Sequence, residues 1–170
     1  MQKLKTFIKK YNRHLSMAGI VLALILGFVP QEAATEVPIE NVEPVEEKES
    51  TPRNADQQIA DTIGAALDKS FGNDAHYSID VTDEKAIVIT ITVDGMGASA
   101  EMAKNDETSK ADWKELVSAM KEMSSGFKKG AESYGSKKDI SVILVNDENP
   151  DEVLVGTMND TVFMDILATK

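Results

Sequence analysis

Between Asp56 and Leu167 the spacing of apolar residues switches from helical to alternating, back to helical, and again to alternating. A helix repeats about every 3.6 residues and a strand every 2, so this order restricts the chain to helices separated by strands. "NADQQIADTIGAALDKSFGND" opens on Asn54, a residue suited to accept the first free amides of a helix. It places Ile59, Ile63, Ala66, Leu67 and Phe71 on one face and stops at Gly72. "HYSIDVTDEKAIVITITV" then alternates. Tyr77, Ile79 and Val81 point one way, a turn follows at Asp83-Glu84-Lys85, and Ile87, Ile89, Ile91 and Val93 continue the apolar face.

The second helical stretch, "SKADWKELVSAMKEMSSGFKKGAESYG", aligns Trp113, Leu116, Val117, Met120, Met123, Phe127 and Tyr134. Ser109 with Asp112 three residues on resembles a capping box, which predicts a helix beginning there. Three short strands are expected after it, at about 140–146, 152–158 and 161–167, joined by turns at 146–151 and 159–160. Only the join through the second helix is long enough for a crossover, so most pairings should be antiparallel. Each helix has one apolar stripe, which predicts both on the same side of the sheet. The expected fold is α+β: a two-layer sandwich in the order α-β-β-α-β-β-β, with a roughly five-stranded, mainly antiparallel sheet and two amphipathic helices on one face.

Ahead of this lies a different kind of chain. Lys3, Lys5, Lys9, Lys10 and Arg13 are followed by an apolar run from Leu15 to Val29, the order of a secretory signal or an N-terminal membrane anchor. Positive charge stays on the cytoplasmic side, so whatever follows Pro30 is expected outside. The run as a helix reaches about 22 Å, short of the ~30 Å hydrocarbon core, which favours a cleaved signal. The residues around Ala33 and Ala34 make a poor cleavage site, which favours an anchor, so both readings stand. A lipoprotein is excluded by the absence of Cys after the run. "QEAATEVPIENVEPVEEKESTP" carries Pro38, Pro44 and Pro52, seven Glu and no aromatic residue. It cannot bury enough apolar surface to offset its ordering entropy and reads as a self-repelling tether. The expected organisation is therefore a signal or anchor over 1–30, a disordered acidic tether over 31–52, and a single globular domain over 53–170.

The net charge of −11 is unevenly distributed, at +5 over residues 1–14, −6 over 31–52 and −10 over 53–170. A domain this acidic, without a basic face, is disfavoured as a nucleic-acid binder. Lys128-Lys129 and Lys137-Lys138 read as cations set against a helix C-terminus. The chain has no Cys, so thiolate catalysis, zinc–thiolate sites and disulfides are all excluded.

Catalytic signals are sparse. His76 is the one histidine beyond the leader and has no Ser or Cys motif near it. Gly95-Met96-Gly97 lacks the remaining glycine and the Lys-Ser/Thr pair of a phosphate-binding loop. Asp147, Asn149 and Asp151 begin a calcium-loop pattern that fails at Glu152, where Gly is needed, and at Met158, where a bidentate Glu is needed. No catalytic residue, cofactor or metal ligand is assigned.

The expected function is a non-enzymatic interaction module of a bacterial cell envelope, on the outer side of the cytoplasmic membrane or secreted, touching the membrane only through its N-terminal segment. Its partner would be another envelope protein or a second copy of itself. Two surfaces are the candidates: a long loop over 94–107 carrying Gly95, Met96 and Gly97, and the outer sheet face carrying Val88, Thr90, Ile143 and Val145. That face is more apolar than a solvated one requires. The alternative is a small-ligand or calcium-binding protein using the acidic 146–152 turn or a pocket between helices and sheet.

Overall fold

The computed structural model describes residues 55–82 and 86–168. The leader, the tether, the Asn54 cap and the turn at 83–85 lie outside the described residues. Among those described, no helix is long and apolar enough to cross a membrane. In chain order the elements are α1 Ala55–Phe71, β1 His76–Val81, β2 Ala86–Thr92, α2 Met96–Asn105, α3 Glu107–Ser133, β3 Asp139–Val145, β4 Val153–Met158 and β5 Thr161–Asp165.

The strands form one sheet in sequential order β1-β2-β3-β4-β5. β2 and β3 are parallel, joined by the crossover through α2 and α3, and the other neighbours are antiparallel. This is the expected α+β fold, with one helix more than expected. Register explains the core. Ile87, Ile89 and Ile91 stand opposite Ile140, Val142 and Leu144 across the parallel pair, and none of the six is more than 3 % exposed. On the other side the same isoleucines stand opposite Val81, Ile79 and Tyr77. Burying each such aliphatic side chain contributes roughly 1.5–3 kcal/mol relative to exposure, which makes this face the main source of cohesion.

The helices cover that face. α1 contributes Ile59, Ile63, Leu67 and Phe71, and α3 contributes Trp113, Leu116, Met120, Met123 and Phe127, all in one hydrophobic cluster with the strands. A polar contact pins the layers at the β1 edge, where the Tyr77 hydroxyl meets the Gly64 carbonyl of α1 at 2.9 Å; within the sheet, the buried Thr157 hydroxyl of β4 donates to the Val142 carbonyl of β3 at 3.2 Å.

Helix ends follow local chemistry. Gly72 adopts φ 56, a left-handed conformation that costs glycine little, and its amide donates to the Asp68 carbonyl at 2.8 Å to close α1. α3 starts earlier than predicted. Its cap is Asp106, whose carboxylate accepts the Ser109 amide and hydroxyl, each at 2.7 Å; Ser109 is the third residue of the helix and not its cap. The last turn of α3 carries no basic residue, so Lys128 and Lys129 are not set against its dipole as expected; Lys128 donates instead to the Lys138 carbonyl at 2.9 Å, and Lys138 donates to the Thr82 carbonyl beside Asp56.

The long loop expected over 94–107 does not exist as a loop. Met96–Asn105 is helix α2, and Met96, Gly97, Ser99, Ala100 and Ala103 are buried. Apart from Met96 these buried residues are small, and α2 packs against α3.

Candidate functional site

The two features that looked weakest as separate motifs meet in space. β2 and β3 run parallel and end side by side, with Thr92 opposite Val145. The chain leaving β2 turns at Gly95, at φ 82, and enters α2; the chain leaving β3 enters the acidic turn after Asn146. Asp147 Oδ2 accepts the Gly95 amide at 2.7 Å and Oδ1 accepts the Gly97 amide at 2.9 Å. Gly95-Met96-Gly97 is thus an anion cradle at a helix N-terminus, as such glycine-rich turns often are, but its anion is the protein's own Asp147 carboxylate.

Burial alone would raise the Asp147 carboxyl. The amides of Gly97, Gly95, Asp147 itself and Met96 outweigh burial and hold it below the ordinary value of 3.8. The turn behind it is equally organised. Asn146 Nδ2 donates to Glu152 Oε2 at 2.6 Å, the Glu148 amide donates to Asn146 Oδ1 at 3.0 Å, and the Glu152 amide donates to the Asn149 carbonyl at 2.9 Å. Gly97 lies so close that a Cβ there would come 2.1 Å from Asn146 Oδ1. The arrangement is a structural latch between the ends of two parallel strands.

This placement corrects the first candidate surface. Met96 is 2 % exposed and belongs to the core, Gly97 is buried under Asn146, and Gly95 is half-buried with its amide engaged. None of the three presents a side chain to a partner. The acidic turn supports calcium no better, because Asp147 directs both oxygens at backbone amides. Among the described residues no group of three or more His, Asp and Glu side chains is placed to hold a metal ion. His76 stands exposed at the start of β1 and is not brought to any serine–carboxylate pair among the described residues.

The second candidate surface is assembled by the sheet. Opposite the helix-covered face, Val88 stands beside Ser141 and Met158, Thr90 beside Ile143 and Gly156, and Thr92 beside Val145. Val88, Thr90 and Ile143 are half-buried, whereas Val145, at 5 %, is shaded by its neighbours. Two residues that the sequence reading did not single out dominate the exposed area: Phe163 at 55 % and Met158 at 38 %. The Phe163 ring lies across Gly156, where a Cβ would meet its Cζ and Cε2 at 2.5 Å. Among the described residues, the one glycine within a strand is therefore matched to an exposed aromatic on the neighbouring strand. Among the described residues no helix covers this face.

No protein-family model, curated protein or solved structure matches the chain.

Proposed function

We propose that the chain is a non-enzymatic, extracytoplasmic interaction module of a bacterial cell envelope, which binds an envelope protein through the outer face of its sheet. One observation carries the reading: the helix-free face holds Phe163 and Met158 beside Ile143, Val88 and Thr90, an apolar surface with no helix over it. Large apolar side chains clustered in the open mark contact sites more often than solvated surface. The basic start and apolar run over residues 3–29 support display on the outer side of the membrane, as an anchor or a cleaved signal. The acidic, proline-containing stretch that follows supports reach from the bilayer.

The test is crosslinking in intact native cells expressing the wild-type chain, Phe163→Asp or Ile143→Lys, followed by mass spectrometry of what is attached. A defined envelope partner lost in both variants is the expected result. Exposed Phe163 tolerates the charge without unfolding, and burying a Phe contributes roughly 1.5–3 kcal/mol, so its loss weakens binding about tenfold or more. Crosslinks unchanged by Phe163→Asp would remove the outer face as the working surface. Crosslinks only between copies of this chain would replace the partner by self-association. The N-terminus of the recovered protein, at Met1 or near Ala34, distinguishes anchor from signal.

A further inference from the structure

The two edges of the sheet are built differently. β5 is closed to another strand: its register shifts between Gly156↔Met164 and Thr157↔Val162, leaving Phe163 as an extra, bulged residue, and Asp165 turns inward to Trp113. A bulge and an inward charge are two of the ways in which proteins block an edge. β1 has neither. It pairs with β2 without interruption from His76↔Thr92 to Val81↔Ile87, and "HYSIDV" has no Pro, Lys or Arg. The Thr82 amide donates to the Ala86 carbonyl at 3.0 Å, so strand alternation turns the N–H and C=O groups of Tyr77, Ile79 and Val81 away from β2.

Alongside that edge runs a cleft of about 420 Å³ between the flank of α1 and β1, lined by Ala60, Asp61, Gly64, Asp68, Tyr77 and Ile79 among others. Its charged lining is acidic, with no Lys, Arg or His. We propose that the β1 edge and this cleft bind an extended, basic peptide segment of another protein as an added sixth strand. The outward groups of Tyr77, Ile79 and Val81 supply the ladder, which gives affinity without sequence preference. Side chains of the added strand alternate, and every second one enters the cleft. A Lys there lays its methylenes on Ala60 and Gly64 while its ammonium reaches Asp61 and Asp68 at the rim, so basic residues at alternate positions are selected. This surface is separate from the helix-free face, and either can fail without the other.

The test uses the full-length chain and short capped, fluorescently labelled peptides of alternating Lys and Thr, with binding followed by anisotropy at low ionic strength. Three controls accompany it: alternating Glu and Thr, and the Lys peptide N-methylated on one or the other alternate set of amides. The Lys peptide should bind, the Glu peptide should not, and methylation should abolish binding in only one of the two sets, because only one set faces β1. Hydrogen exchange of the β1 amides should slow when the Lys peptide is present, and Asp61→Lys, at an exposed site, should weaken binding roughly fivefold. Equal binding of the Glu peptide, or indifference to which set is methylated, overturns the proposal by reducing it to surface electrostatics or stickiness. Protection of β1 that appears with rising protein concentration and no peptide overturns it as well, since the edge then belongs to a second copy.

Discussion

The indole Nε1 of Trp113 donates to Asp165 Oδ1 at 3.0 Å, joining the first half of α3 to the end of β5. Trp113 has no solvent exposure, so its N–H has no water to fall back on. The same carboxylate oxygen accepts the Leu167 amide at 3.0 Å and shapes the turn after the strand. Asp165→Ala should lower stability by about 1–3 kcal/mol, the range for a buried donor left unmade. Asp165→Asn, which keeps an acceptor oxygen, should cost less. Trp113 is the chain's single tryptophan, so urea unfolding followed by its fluorescence reads the effect directly. An unchanged midpoint for Asp165→Ala would show that the bond contributes nothing net.

The Asp147 latch makes stability depend on pH. Its carboxyl is held below the ordinary 3.8, so its ionised form is favoured by folding. The contribution is complete above that ordinary value, declines as pH falls below it, and disappears once pH passes the lowered folded value. Asp147→Ala should cost about 1 kcal/mol at neutral pH, as loss of a helix cap does, and the gap to wild type should close in acid. Thermal melts of both proteins at neutral pH and well below pH 3.8 test this. A gap that persists in acid would assign the effect to packing and not to the charged cradle.

How much of this was legible beforehand depends on where the signals lie in the chain. Ile87, Ile89 and Ile91 announce their strand by alternation, and Trp113 to Phe127 announce α3 by helical spacing, because in both cases the pattern is contained in one segment. Helix α2 was missed for a physical reason. Its buried residues are mostly Gly, Ser and Ala, which leave almost no hydrophobic stripe, and Gly95 offers no side-chain cap. The cap comes from Asp147, fifty residues downstream of Gly97, and is visible only once β2 and β3 are known to be parallel neighbours. Phe163 was overlooked as an interaction residue because alternation within β5 would have placed it by count; the bulge and its stacking over Gly156 decide its position instead.

Gly97 should be intolerant of any side chain. A Cβ would approach Asn146 Oδ1 at 2.1 Å and Cγ at 2.7 Å, and Asn146 is held in place by Glu152 and the Glu148 amide. Gly97→Ala should therefore cost about 1–3 kcal/mol through overpacking. If the clash with Asn146 is the cause, Gly97→Ala in an Asn146→Ala background should cost clearly less than in the wild-type background. Additive losses across this double-mutant cycle would locate the damage elsewhere.

Tyr77 joins β1 to α1 and should resist ionisation. Burial, then the hydrogen bond to Asp68 at 2.6 Å, then the Asp68 charge raise its phenol from 10.0 to about 12. The protonated form is thus favoured by folding, and the stability it contributes is complete below the ordinary value and lost as pH rises through the folded one. Following phenolate absorbance on raising the pH, one tyrosine should titrate late, and Asp68→Asn should bring it forward by removing the negative charge. Tyr77→Phe should abolish the late titration and cost about 1 kcal/mol, the net worth of an ordinary hydrogen bond. If Asp68→Asn leaves the late titration in place, burial of the phenol and not the Asp68 carboxylate holds the proton.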